Sequence, residues 1–214
     1  MLLGAVATPG AAGEDQSRAA CFPAKSTTLA QNSLARVYSG PGPEGTRRML
    51  SACVFSQGKT VELDSPREGI HGHVPPGLVL NGTIVGYAVV HCFEDCSTSV
   101  EAVDLLKPAD ENRINVSGAS RRDEVVKVGS LTVTRAGGLA WIACPRGSDF
   151  ELTRRSPTCV KPGYKDSVYR DPAGAKGLPE RLDIGRAIDP SSLRRKGTRL
   201  TWTVGDEKRS ATLE

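Results

Sequence analysis

The chain has 214 residues, of which 38% are hydrophobic and 5% aromatic, and it contains 23 Gly and 14 Pro. Its 28 Lys and Arg and 24 Asp and Glu give a net charge of +4, which excludes the highly charged class of disordered proteins. The glycine and proline content excludes a coiled coil, and no apolar run approaches the ~18–20 residues of a transmembrane helix. These values predict a soluble, turn-rich globular protein without a transmembrane segment.

The first 20 residues are rich in small side chains and include Ala5-Val6-Ala7, which matches the A-x-A form of a signal-peptidase site. No basic residue precedes this run, and its apolar part is short. We therefore interpret residues 1–20 as the remnant of a signal peptide or as a disordered tail. Residues 21–214 are predicted to form a single all-β domain.

Six cysteines follow in this aromatic-poor chain, and an even number predicts disulfides and an oxidising compartment. Their spacing alone does not determine the pairing, and buried free thiols are the alternative. One pair encloses a short loop and a second brackets a surface excursion, which leaves the third pair by elimination. The predicted disulfides are Cys92–Cys96, Cys144–Cys159 and Cys21–Cys53. We expect the protein to be secreted or located in the cell envelope.

In chain order, the sequence consists of short β-rich runs separated by Gly, Pro and charged turns. Arg135–Gly138 predicts the tight turn of a hairpin. The segment Ser99–Leu106 also shows the three-residue apolar spacing of a short helix. The predicted strands are LARVYS, RMLSACVF, KTVELD, LVLNG, TIVGYAVVH, SVEAVDL, SLTVT, LAWIAC, SVYRD, RLTWTV and RSATL.

An internal repeat is the strongest feature of this pattern. Three segments contain a leucine, a turn, and an apolar residue two positions before an aromatic one; they are LVLNGTIVGYAV (78–89), LTVTRAGGLAWIA (131–143) and LRRKGTRLTWTV (193–204). Alternation along a strand places the apolar and aromatic side chains on one face. We expect six residues to be buried on equivalent strands: Val85, Tyr87, Leu139, Trp141, Leu200 and Trp202.

The three aromatic residues lie about 54 and 61 residues apart, near the upper end of the period of propeller blades. The chain resembles β-propeller repeat proteins of the WD-repeat-like and TolB-like bacterial exported group. There an L-x-x-x-G-x-x-V/L-x-Y/W strand pair precedes a V-x-V-x-D-L strand, which AVDLL at 102–106 matches. The resemblance covers roughly residues 35–212 and implies four antiparallel strands per blade. We predict an all-β, propeller-like fold, with a β-sandwich as the alternative.

Three histidines are candidate metal ligands. In an extended segment His71 and His73 project to one side, and His91 lies beside Cys92. The glycines and prolines around the first two predict a loop, in which histidines are usually solvated. We therefore predict no catalytic residue, no metal site and no cofactor.

The basic residues occur in short clusters with acidic residues among most of them, so we predict no nucleic-acid binding. We expect an exported, non-catalytic binding or scaffold module that recognises a protein or glycan ligand through its loops. The alternative is an exported metal-dependent hydrolase or lyase on the same fold, using His71, His73 and His91.

Overall fold

The computed structural model describes residues 11–42, 48–64, 77–92, 96–119, 126–145, 165–175 and 177–213. Over these ranges the chain is all-β apart from one helix, α1 (Ala11–Ala20). The all-β prediction is therefore confirmed. The strands form four small antiparallel sheets that follow one another along the chain.

Each sheet is a meander of neighbouring strands. The first sheet contains β1 (Thr27–Gln31), β2 (Ala35–Pro41), β3 (Arg48–Val54) and β4 (Lys59–Asp64). The second contains β5 (Val79–Asn81), β6 (Ile84–Cys92), β7 (Cys96–Asp104) and β8 (Arg113–Gly118). The third contains β9 (Val126–Val133), β10 (Leu139–Pro145), β11 (Asp166–Asp171) and β12 (Glu180–Gly185). The fourth contains β13 (Arg194–Lys196), β14 (Arg199–Val204) and β15 (Glu207–Thr212).

Residues 99–104 of the segment with helical spacing lie in β7, which confirms the predicted strand SVEAVDL and excludes the helix there. Val100 packs towards the third sheet and Val103 towards the first. A strand that is buried on both faces loses the clean two-residue alternation, and its apolar spacing then imitates that of a helix. The turn at Arg135–Gly138 is confirmed, with Thr134 N bonded to Gly138 O at 2.8 Å.

The repeat predicted from the sequence occupies equivalent strands. Its three copies form the first and second strands of the second, third and fourth sheets: β5–β6, β9–β10 and β13–β14. The six residues expected in the core are all buried: Val85, Tyr87, Leu139, Trp141, Leu200 and Trp202. Sequence alternation was sufficient here because each second strand has one face against the preceding sheet.

The polar tip of each aromatic residue in the repeat lies within hydrogen-bonding distance of the preceding sheet or of the residue that follows it. A buried Tyr or Trp needs such a partner for its O–H or N–H group. The three contacts are Tyr87 Oη with Leu63 O (2.8 Å), Trp141 Nε1 with Ala119 O (2.9 Å) and Trp202 Nε1 with Asp183 Oδ2 (2.8 Å). The same contact thus recurs at every interface between consecutive sheets.

Three hydrophobic clusters fill the three interfaces between consecutive sheets. Side-chain amides add links near the first strands: Asn32 donates to Gly82 O at 2.8 Å, and Asn81 donates to Val133 O at 3.0 Å. At Gly137 (φ 93°) a Cβ atom would lie 2.5 Å from Ile114 Cδ1, so only glycine fits where the second and third sheets meet. This succession of sheets fits both the propeller-like arrangement and the sandwich alternative.

Among the described residues no sheet precedes the first one, and the N-terminal segment packs against its outer face. Residues 11–20, assigned from the sequence to a signal-peptide remnant or a tail, form α1. The guanidinium of Arg18 lies 4.6 Å from the centre of the Phe55 ring. The Cys21–Cys53 disulfide, predicted by elimination, joins the chain after α1 to β3. We call α1 and residues 21–26 the N-terminal cover.

Arg36 is buried beneath this cover, with 3% of its surface exposed. It donates to Cys21 O at 2.7 Å and to the hydroxyls of Thr28 and Ser26 at 2.8 and 3.0 Å. Its guanidinium also lies over the Phe22 ring at 4.5 Å. Desolvation by burial lowers the pKa of Arg36 from its usual value. Arg36 stands two residues before Tyr38, as Val85 stands before Tyr87, so a polar cover replaces the apolar face of a neighbouring sheet.

Candidate functional site

The structure shows one of the three predicted disulfides in full and only part of the other two. Cys21–Cys53 is present, with its Cα atoms 5.4 Å apart, and Cys144 is also disulfide-bonded. The partner proposed for Cys144, Cys159, lies outside the described residues. Cys92 and Cys96 face each other in the β6–β7 register, a position compatible with a disulfide between neighbouring antiparallel strands. The Cys92–Cys96 and Cys144–Cys159 pairs stay predictions.

The three candidate histidines lie wholly or partly outside what the structure describes. His71 and His73 lie outside the described residues. The backbone of His91 belongs to β6, opposite Ser97, but its side chain is not described. Within the described part of the chain, no group of three or more His, Cys, Asp or Glu side chains is arranged to hold a metal ion.

Glu101 is a buried carboxylate between the first and second sheets, with 2% of its surface exposed. The hydroxyl of Tyr87 lies 2.8 Å from Glu101 Oε2, and Ser99 donates to Oε1 at 3.3 Å. Arg113 Nε lies 3.4 Å from the same carboxylate. These contacts supply the partners that a buried charge needs, so we interpret the cluster as structural.

Two further buried carboxylates lie on opposite faces of β11. Asp171 faces the second sheet, where burial raises its pKa and the nearby Ser117 and Asn115 side chains partly offset the increase. The Ser117 hydroxyl lies near Asp171 but makes no hydrogen bond of standard geometry within the described residues. Asp166 shares the face of Val168, which packs towards the fourth sheet, and desolvation raises its pKa to about 6. These carboxylates lie at different interfaces and do not form the pair that acid–base hydrolysis requires.

Asn81 and Asn115, which begin the two N-x-S/T sequences of the chain, both connect neighbouring sheets. Asn81 donates to Val133 O at 3.0 Å, and Asn115 donates to Gly137 O at 3.3 Å. Glycosylation requires a free amide, so folding would have to leave these contacts unmade.

A shallow groove of about 330 Å³ lies beside the N-terminal cover. Tyr38 and Met49 contribute apolar surface to it, while Thr60 and Glu62 contribute polar groups. The Tyr38 and Thr60 hydroxyls are 3.3 Å apart and bond to each other. Its mixed lining contains no converging set of charges or donors that would define a ligand.

The outer face of the fourth sheet is chemically uniform. Strand alternation points Leu200 and Trp202 towards the third sheet. The residues that alternate with them along the strand, such as Thr201, point to the opposite side. We call the opposite side the basic face. Its eight residues, taken from the pairings of β13, β14 and β15, are Arg194, Lys196, Arg199, Thr201, Thr203, Lys208, Ser210 and Thr212. Four are cationic, four carry hydroxyls, and none is acidic or apolar.

The cations of the basic face form no ion pair with any described carboxylate. Arg194 donates to the carbonyls of Ser191 and Leu193 at 2.7 and 2.8 Å, and Arg199 reaches the Ser210 hydroxyl at 3.4 Å. Ser191 hydrogen bonds lower the pKa of Asp189, and the charge of Arg194 adds a smaller effect.

The side of the fourth sheet that faces the third is different, because there charges are paired. Arg209 binds both oxygens of Asp183 at 2.9 Å and lies 3.4 Å from Glu207. These carboxylates raise the pKa of Arg209. Asp183 also accepts from Trp202, so it anchors the fourth sheet to the third.

The sequence prediction missed the basic face because it treated charge along the chain and not by strand side. Residues 194–212 contain six basic and two acidic residues, but the sequence prediction counted the basic ones only as short clusters of a mixed-charge surface. A two-residue count applied to the predicted strand RLTWTV places Arg199, Thr201 and Thr203 on one side, whereas Lys208 lies before the predicted strand RSATL. The missed strand β13 would have supplied Arg194 and Lys196.

Comparison of the chain with protein-family models, curated proteins and solved structures finds no significant match. No helix in the described residues has the length and apolar character needed to cross a membrane.

Proposed function

We propose that this protein is an extracytoplasmic, non-catalytic binding module whose basic face holds an anionic polymer. One observation carries the proposal: four cations share an exposed sheet face with no acidic side chain. Exposed cations that share one surface attract polyanions, and the polyanion releases its counterions on binding. The sequence prediction placed recognition in the loops, whereas the charge distribution favours a sheet face.

The sheet holds these cations at fixed spacings, which favours binding of an extended ligand. Neighbouring strands are ~4.8 Å apart, and alternate residues on one strand are ~6.6 Å apart. Trp202 and Arg209 join the back of this sheet to Asp183, so the scaffold does not have to become ordered on binding. The Cys21–Cys53 disulfide supports the extracytoplasmic part of the proposal, because disulfides persist in oxidising compartments.

The test is a titration of the protein with two unrelated polyanions, heparin and a short DNA duplex, at low and moderate salt. We expect at least one of them to bind, with an affinity that falls as salt rises. Replacing two cations, Lys196→Gln with Lys208→Gln, should weaken that binding about tenfold, equivalent to about 1.4 kcal/mol.

The matched control replaces exposed lysines of the first and second sheets, Lys59→Gln with Lys107→Gln, and so changes the net charge equally. We expect this control to weaken binding less than about twofold. Equal losses in the two double variants, or no binding of either polymer by the parent protein, would contradict the proposal.

A further inference from the structure

We infer that the anionic polymer recognised by the basic face is an acidic polysaccharide, whose sugar units carry carboxylate or sulfate groups beside free hydroxyls. This inference rests on the proposed function and specifies its ligand. It follows from the arrangement of cations and hydroxyls across the three strands and from the absence of other chemistry on this face.

The strand register places cations and hydroxyls in mixed rows. Two of the rows cross all three strands and one crosses two. They are Lys196–Arg199–Thr212, Arg194–Thr201–Ser210 and Thr203–Lys208. Each row contains both a cation and a hydroxyl, at the ~5 Å separation of side chains that face each other across strands.

A uronate or sulfated sugar presents the complementary set of groups. Its acidic group accepts charge-assisted hydrogen bonds from Lys or Arg, and its ring hydroxyls both donate to and accept from Thr or Ser. Because one sugar unit carries both kinds of group, it can satisfy a cation and the adjacent hydroxyl together. An extended chain of such units would repeat this contact from one row to the next.

Nucleic acid is a poorer match to the same surface. Single-stranded nucleic acid is bound largely by stacking of bases on aromatic side chains. The tryptophan of this sheet, Trp202, faces the third sheet and is 4% exposed. The basic face is also a sheet surface and not a helix or ribbon that enters the major groove, and the outer backbone of a DNA duplex offers no free hydroxyl to Thr201 or Thr203.

The test compares the affinities of polygalacturonate, heparin and a short DNA duplex for the full chain at one ionic strength. We expect at least one of the two polysaccharides to bind more tightly than the duplex by about tenfold or more. Replacing two hydroxyls by a near-isosteric methyl, Thr201→Val with Thr203→Val, should weaken polysaccharide binding about fivefold and leave duplex binding within about twofold. The matched control is Thr27→Val with Thr60→Val on the first sheet, where we expect no change.

The possible failures of the two proposals are distinguishable. Duplex binding equal to or tighter than polysaccharide binding, still weakened by the Lys196 and Lys208 changes, would overturn the ligand assignment and keep the anionic surface. An unchanged polysaccharide affinity in the Thr201 and Thr203 double variant would show that binding depends on charge attraction alone. That result would also overturn the ligand assignment. Thermal unfolding of the threonine double variant at the parental temperature would confirm that its weaker binding does not come from misfolding.

Discussion

The two ends of the succession of sheets differ although both are antiparallel meanders of neighbouring strands. At the first sheet, the N-terminal cover lies over the outer face, the Cys21–Cys53 disulfide fastens it, and Arg36 is buried beneath it. At the fourth sheet, the outer face is open and carries exposed cations and hydroxyls. The first end therefore contributes mainly to stability, while the second exposes charged groups that form no ion pair with a carboxylate in the described residues.

This difference shows how two sheets of similar topology can serve two purposes. An inner sheet needs apolar side chains on both faces, because a neighbouring sheet covers each face. An end sheet has one face without a neighbouring sheet, so that face can carry polar side chains. The cover at the first end satisfies Arg36 with hydroxyls and a carbonyl. The fourth sheet instead leaves its outer side chains to solvent, so substitutions at the two ends should affect different properties.

The largest effect is expected for Trp141→Ala in the interior, between the two ends. The ring is fully buried and its N–H group donates to Ala119 O, so we expect a loss of about 3–5 kcal/mol in the free energy of unfolding. Trp202→Ala, in the sheet with an open face, should cost less. Denaturant titration measures both, with Leu178→Ala as an exposed control. A larger loss at Trp202 than at Trp141 would contradict this order.

The next effect concerns the covered end. Replacing both Cys21 and Cys53 by Ala should reduce the free energy of unfolding by about 3–4 kcal/mol, because the disulfide closes a loop with a sequence separation of 32. Polyanion affinity should stay within about twofold, since the basic face lies on another sheet. Loss of affinity in a variant that remains folded would show that the two ends do not act separately.

A smaller effect is expected for Asp166, on the face of the third sheet that packs towards the fourth. Its pKa in the folded state, about 6, lies above the ordinary 3.8, so the folded protein favours the protonated carboxyl. Stability from this group is therefore present below about pH 4 and is lost as the pH rises through about 6. Partial solvation limits the loss to about 1 kcal/mol.

Asp166→Asn should thus stabilise the protein by about 1 kcal/mol at pH 7 and leave its stability at pH 4 nearly unchanged. Unfolding titrations at the two pH values measure this difference. Asp110→Asn, an exposed change in a turn, is the control and should alter neither value. Destabilisation by Asp166→Asn at pH 7 would reveal that the ionised carboxylate is favoured in the folded state.

The smallest change in stability is expected at the open end. Lys196→Gln with Lys208→Gln should shift the free energy of unfolding by no more than about 0.5 kcal/mol, because these exposed side chains form no described ion pair. The same variant should lose about tenfold in polyanion affinity. Comparing its denaturant midpoint with that of the cysteine double variant tests the contrast between the two ends directly. Similar losses of stability in the two variants would contradict this contrast.

The sequence predicted the central strands of the sheets better than the edge strands. KTVELD and RLTWTV coincide with β4 and β14, and the aromatic residues of the repeat are buried as expected, because two-residue alternation is strong where one face meets a neighbouring sheet. The strands β1, β8 and β12 escaped prediction, since their exposed or mixed residues carry little apolar pattern. The basic face was missed because charge was counted along the chain and not separately for the two sides of each strand.

The recurring aromatic contact also has a direction along the chain, which bears on how the protein is assembled. Tyr87, Trp141 and Trp202 each contact a residue that precedes them on or beside the preceding sheet, although Tyr87 also contacts Glu101, which follows it. A chain made or exported from its N-terminus therefore has each acceptor in place before the matching aromatic residue emerges. Each sheet can then dock on a finished predecessor, so the order of synthesis is also the order in which the interfaces close.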